Sequence, residues 1–282
     1  MTGPLLDALT VALGLLIGLV AYRPFIGLLR GTRAGQVIQA ELPEEHQRKA
    51  GTPTGGGILF VALGIAGGLL ATAAGHPGAA AALAGLVLGG LLGLADDLQK
   101  LKVGSLGIPA RLKFPLQVLL AIAGTANAVN LTDGIDGLAG GLCAIAFTCL
   151  ALFLPHAPSG ERALAMVVVG GLLAFLWYNR NPARVFMGDA GSLGLGFALA
   201  AMAVQQGFVL LLPLLGLVFV IETVSVMMQV AYFKATGGRR ISKMTPIHFT
   251  FQLEGWSENR IDAVFWTVGA VAALASAAAA HL

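Results

Sequence analysis

Apolar residues fall in long runs along this chain, separated by short polar stretches. Nine runs stand out: 5–22, 55–74, 79–95, 114–129, 138–154, 163–177, 193–204, 208–230 and 263–280. Runs approaching 20 apolar residues have the length of a helix that crosses a bilayer. The pattern predicts an all-α polytopic transmembrane bundle forming one membrane domain over 1–282. The polar stretches differ in kind. Those at 75–78, 155–162 and 205–207 read as bland turns, whereas 23–54, 96–113, 130–137, 178–192 and 234–262 are charged or dense in polar groups. No sequence repeat is visible.

Composition sharpens this picture. The chain is 57% hydrophobic and 11% charged, with mean hydropathy +0.84. A soluble domain carries about 25% charged residues, so a separate soluble domain is excluded. The 39 glycines suit close helix contacts in lipid. The first run lacks a basic leader and reads as a retained helix. Cys143 and Cys149 share one apolar run and read as packing residues. The net charge of +3 is too small to suggest a nucleic-acid partner.

The distribution of charge sets a topology. If run 114–129 crosses the membrane, the 17 Lys and Arg divide 10 to 7 between the two sides. If it makes no net crossing, they divide 16 to 1. The positive-inside rule favours the second arrangement. Sixteen helical residues also reach only about 24 Å, against a hydrocarbon core of about 30 Å. The expectation is eight crossings plus one dipping or interfacial segment. Both termini then lie outside, and all five charged loops share a cytoplasmic face.

Carboxylates at membrane depth are costly and are functional candidates. Asp96 and Asp97 follow the third run, where negative charge at a helix C-terminus is unfavourable. The stretch Asn130-Leu131-Thr132-Asp133-Gly134-Ile135-Asp136-Gly137 is dense in polar groups, and its glycines let backbone approach a ligand. It also reads as a turn that caps the next helix. Asp189 sits between glycines before a helix and reads as either a functional acid or an N-cap. His248 follows Arg239, Arg240 and Lys243, an arrangement that also fits a lipid-headgroup patch. Lys49, Thr52 and Thr54 precede three glycines and suit a phosphate contact. Glu222, inside an apolar run, reads as a helix–helix hydrogen bond ahead of a functional acid. His46, His76, His156 and His281 receive no role. The five polar stretches together supply hard oxygen donors and cations, which suit Mg²⁺ or Mn²⁺ bridging a diphosphate.

The run 127–139, with Lys49–Gly57, Asp96-Asp97 and Lys100, Phe186–Ser192, and Thr245-Pro246-Ile247-His248 followed by Glu254-Gly255-Trp256-Ser257-Glu258, resembles the bacterial phospho-N-acetylmuramoyl-pentapeptide transferase family. The matches keep the family's order and span nearly the whole chain. The resemblance implies a multi-pass protein of the bacterial plasma membrane with its site on the cytoplasmic face. Undecaprenyl phosphate would attack UDP-MurNAc-pentapeptide, giving lipid I and UMP with Mg²⁺ required. It further implies Asp96, Asp97, Asp189 and His248 as catalytic, with Asp189 on the metal and Asp96 orienting or deprotonating the lipid phosphate. Lys49, Thr54, Lys113, Asn130, Asp133, Asp136, Asn179 and Phe186 match substrate positions, and Phe186 would stack on uracil.

Two departures stand out. The family shows three consecutive His where this chain has His248-Phe249-Thr250. Between Asp97 and Asn130 the family has two crossings, and this chain keeps only 114–129. The loss preserves the parity set by the basic residues, at the expense of the lipid groove or of a homodimer contact. A shortened homologue of low activity is one expectation. The alternatives are a transferase using UDP-GlcNAc or another UDP-sugar, a transporter, and a silent membrane scaffold. Against a transporter, the ionisable groups gather at one face and do not line the helix centres.

Overall fold

The computed structural model describes residues 4–31, 52–75, 80–103, 123–154 and 159–281. Lys49, Lys113, His46, His76, His156 and the first part of run 114–129 lie outside the described residues, as do the side chains of Asp96 and Lys100. Among the described residues the structure is helical, with no strand. The helices are α1 (Pro4–Gly31), α2 (Gly57–Ala73), α3 (Ala80–Val103), α4 (Ala123–Thr132), α5 (Leu138–Leu152), α6 (Ser159–Asn179), α7 (Gly188–Gln205), α8 (Leu212–Leu215), α9 (Leu217–Ala235), α10 (Ile247–Leu253) and α11 (Glu258–Ala280). Four stretches are long and apolar enough to cross a membrane: Ala8–Arg30, Ser159–Asn179, Leu217–Ala235 and Glu258–Ala280. Shorter apolar helices accompany them at Gly57–Ala73, Ala82–Ala95 and Leu138–Leu152.

Several boundaries differ from the pattern, each for a physical reason. Helix α1 runs past Arg23 and through Pro24, because Tyr22, Ile26 and Leu29 continue its buried stripe. Helix α6 begins at Ser159, ahead of its apolar run. Its first turn buries Glu161, which accepts a hydrogen bond of 2.8 Å from Gln206 Nε2 at the end of α7. Run 208–230 is two helices. Pro213 supplies no N–H, and Gly216 leaves helical geometry at φ −96°, ψ 31°. Helix α3 does not stop before Asp96 and Asp97 but continues to Val103. The expected helix C-terminus at these acids is therefore corrected.

Helices α3 and α7 set the frame for the site. Gly85, Gly89 and Gly93 recur every fourth residue and form one face of α3. A Cβ on Gly85 would stand 2.8 Å from the Phe197 carbonyl oxygen, and one on Gly89 2.7 Å from that of Leu193. A Cβ on Gly93 would collide with the Asp189 carbonyl. Backbone therefore rests on backbone along this seam, as small residues allow between helices in lipid. The next residue on the same stripe is Asp97, which places its carboxylate at the start of α7. Cys143 and Cys149 of α5 are buried, free thiols, and Cys149 Sγ donates to the Ala273 carbonyl of α11 at 3.3 Å.

Candidate active site

The start of α7 gathers residues from three distant stretches of chain. Met187 occupies the cap position with no side-chain cap bond of its own. Asp97 takes that place from α3, accepting from the Asp189 and Ala190 N–H groups at 3.3 Å each. These are among the donors a helix N-terminus leaves unsatisfied, and a carboxylate there is favoured by the helix dipole. Asp189 is thus not the cap. It stands in the first turn of α7, where Asn130 Nδ2 donates to its Oδ1 at 2.8 Å and to Ser192 Oγ at 2.9 Å. The segment Pro53–Gly57 lies against residues 186–187. Phe186 N–H donates to the Pro53 carbonyl, and Gly56 and Gly57 N–H donate to the carbonyls of Phe186 and Met187, at 2.7–2.9 Å. Tyr22 anchors this segment by donating to the Gly56 carbonyl at 3.0 Å. Gly188, at φ +73°, brings the chain close beside Thr54: a Cβ there would lie 3.1 Å from Thr54 Oγ1 and 2.8 Å from Asp97 Oδ2.

A second group lies under the 133–137 loop. The Asp136 carboxylate accepts from Asn181 Nδ2 at 3.0 Å and from Ala183 N–H at 2.9 Å. Asn179 Oδ1 accepts from Gly137 N–H at 2.9 Å, and its Nδ2 donates to the Val185 carbonyl at 2.8 Å. Glu258, in the first turn of α11, accepts from Asp136 N–H at 3.0 Å, from Asn181 Nδ2 at 3.2 Å and from Gln252 Nε2 at 3.0 Å. His248 is fully buried, with Nδ1 3.1 Å from Oε2 of the equally buried Glu222 on α9. Glu222 therefore meets a residue of another helix, α10, in line with the helix–helix reading of the sequence. Thr250, which stands where the resemblance implies a histidine, accepts from Met244 N–H at 3.2 Å and donates to the Met244 carbonyl, so it latches the 244–250 loop.

The residues singled out in the sequence thus fall into two sets. Thr54, Asn130, Asp133, Phe186 and Asp189 are half-buried and keep an open face. Asp97, Asp136, Asn179 and His248 are buried. All five polar stretches contribute a residue to this one end of the bundle: Thr54, Asp97, Asn130–Gly137, Asn179–Asp189 and His248–Glu258. Sequence reading missed Ser192, Asn181, Gln252 and the linking role of Glu258. Only Ser192 carried a local signal, three residues after Asp189 and so on the same helix face.

Beside the site, past Glu222, α9 exposes Met227, Met228, Val230 and Phe233. A groove of about 330 Å³ opens there, lined by Gln229, Val230, Phe233, Lys234, Arg240, Met244 and Thr245.

Residues 78–207 match the family described as Glycosyl transferase family 4. A phospho-N-acetylmuramoyl-pentapeptide-transferase of Listeria monocytogenes is 38% identical, over 95% of this chain and 96% of the relative. Those of Symbiobacterium thermophilum and Bacillus thuringiensis are 41% and 39% identical, covering 90% and 92% of this chain and 90% and 93% of theirs. The Listeria alignment spans 310 positions, more than this chain's 282 residues, so the relative holds stretches that this chain lacks. With identity of this order across nearly its whole length, the chain belongs to the phospho-N-acetylmuramoyl-pentapeptide-transferase family.

Proposed function

We propose that this chain transfers phospho-MurNAc-pentapeptide from UDP-MurNAc-pentapeptide to undecaprenyl phosphate, releasing UMP and forming lipid I for bacterial peptidoglycan synthesis. The observation that carries the reading is the meeting of Asp97, Asn130 and Asp189 at the start of α7, beside Thr54 and Phe186. An oxygen of the acceptor phosphate attacks the β-phosphorus of the donor. A new P–O bond forms, the bond from that phosphorus to the bridging oxygen breaks, and its electron pair leaves on UMP. A phosphate monoester has its second pKa near 6, so the acceptor needs little help from a base. Asp96 acts chiefly by orienting it. Phe186, half-buried, offers a face for uracil, while Lys49, Lys113 and Asp133 handle the rest of the donor. Asp136 and Asn179 shape the wall through their internal bonds.

Among the described residues no three His, Cys, Asp or Glu side chains gather as a closed metal cage. One carboxylate, that of Asp189, is half-buried with an open face, while the Asp97 carboxylate is turned to the backbone N–H groups of Asp189 and Ala190. Mg²⁺ takes one or two carboxylates and fills its shell with water and phosphate oxygens, so the residues fit it, with Asp189 as the holding ligand. The bound ion supplies neutralising charge to the diphosphate.

The groove beside α9 joins an apolar wall to Lys234 and Arg240, which suits the acceptor's chain and phosphate. The basic-residue count supports placing this end of the bundle in the cytoplasm, with eight crossings. The test is UMP release by purified protein with undecaprenyl phosphate while Mg²⁺ and donor are varied. Saturable, Mg²⁺-dependent release with UDP-MurNAc-pentapeptide is expected. Release with UDP-GlcNAc alone would replace this donor assignment, and release unaffected by chelator would remove the metal.

A further inference from the structure

The mechanism above leaves one buried pair unused. Glu222 on α9 and His248 at the start of α10 are both fully buried, and Nδ1 of the imidazole lies 3.1 Å from Oε2 of the carboxylate. Beyond this approach neither side chain has a hydrogen-bond partner among the described residues. Such groups are costly in an apolar interior unless they serve one another. The other ring nitrogen is aimed at the 133–137 loop. The Cβ of any residue replacing Gly134 would collide with His248 Nε2. Phe249 packs against the ring at a centroid distance of 4.1 Å, tilted 58° to it.

We propose that Glu222 is a positioning residue for the transfer reaction: it holds the Nδ1 edge of His248 so that Nε2 is presented to the 133–137 loop. A carboxylate at Nδ1 keeps a proton on that nitrogen and thereby fixes which tautomer and which edge face the loop. Through Nε2 the imidazole bears on Gly134 and so fixes the loop whose half-buried Asp133 keeps an open face for the donor. This rests on the reading of the site as a phospho-sugar transferase. In this chain the arrangement is more exposed to single changes than a run of three histidines, because Phe249 and Thr250 offer no second imidazole.

The experiment uses the full chain in nanodiscs, with kcat and KM for UMP release measured for E222L, E222Q, H248Q and E222L/H248Q. E222L is expected to lower kcat on the order of 10–100-fold while the donor KM changes little. E222Q keeps an oxygen that accepts from Nδ1 and should stay within about threefold of the wild type. The double variant should be no worse than H248Q, since Glu222 acts only through His248. A purely structural staple predicts otherwise: Leu, apolar and of similar size, would leave kcat intact and move only thermal stability. Wild-type kcat in E222L, losses that multiply in the double variant, or equal impairment of E222Q and E222L would overturn the proposal. Nitrogen NMR of ¹⁵N-His protein, with His248 assigned through H248Q, reads the pair without turnover. The Nδ1-protonated signature should be present in the wild type and lost in E222L. If the wild type releases no UMP, the transferase reading fails while this spectrum still decides the Glu222–His248 contact. An unchanged spectrum in E222L refutes that contact.

Discussion

Around the start of α7, Thr54, Asn130, Phe186 and Asp189 keep part of their surface open; beneath the 133–137 loop, Asp136, Asn179, His248 and Glu258 are closed off. Both regions are polar and both are built from loops far apart in sequence. They differ in where the polarity is spent. Asp136, Asn179 and Glu258 accept hydrogen bonds from backbone N–H groups and a side-chain amide of neighbouring loops. A ligand would have to displace those bonds to reach them. At α7 the Asp97 carboxylate caps two backbone N–H groups and the Asn130 amide bonds the Asp189 and Ser192 side chains, and an open face remains. Under the proposed transfer reaction, the open groups are those that would touch substrate and the closed groups those that hold them in place, a division residue type alone does not show.

Substitutions can break or sharpen that division. The largest effect is expected for D189N, which removes the charge at the open face while Asn130 can still bond the remaining oxygen. UMP release should fall on the order of 10²–10³-fold with thermal stability nearly unchanged. Next is G93A, which forces a Cβ into the α3–α7 seam. Overpacking of this kind costs about 1–3 kcal/mol, and the melting temperature and activity should fall together. D97A strips the cap from α7 and should cost about 1–2 kcal/mol, read in a denaturation series. D97N retains a capping oxygen and should recover most of that stability. Smallest is T250V, which unlatches the 244–250 loop at a cost of about 1 kcal/mol, with kcat unaltered. A D97N variant as inactive as D189N would move Asp97 from the supporting set to the contacting one.

Much of the bundle was legible because apolar runs of helical length have few other solutions in lipid. The gathering of five polar stretches at one end also followed from the basic residues, which share a side only if run 114–129 makes no net crossing. The remainder depended on contacts between distant segments. The continuation of α3 through Asp96 and Asp97 looks unfavourable from its own residues, and it is accounted for only once the N-terminus of α7 meets the Asp97 carboxylate. The burial of Glu161 required Gln206 from the far end of α7. Glu258 looked like part of a family signature, and its bonds to Asp136, Asn181 and Gln252 reach across loops whose mutual approach no local pattern encodes. Asp189 stood out as a candidate from its flanking glycines, but its capping alternative was excluded only by the position of Asp97.

The division between contacting and supporting residues is tested most directly by substrate protection. Cys143 and Cys149 are buried, so a T54C variant supplies one half-buried thiol at the α7 face. In inside-out vesicles, its rate of maleimide labelling should drop when UDP-MurNAc-pentapeptide is added at saturating concentration with Mg²⁺. Labelling at the same rate with and without donor, or only from the opposite side of the membrane, would contradict a donor site at the start of α7.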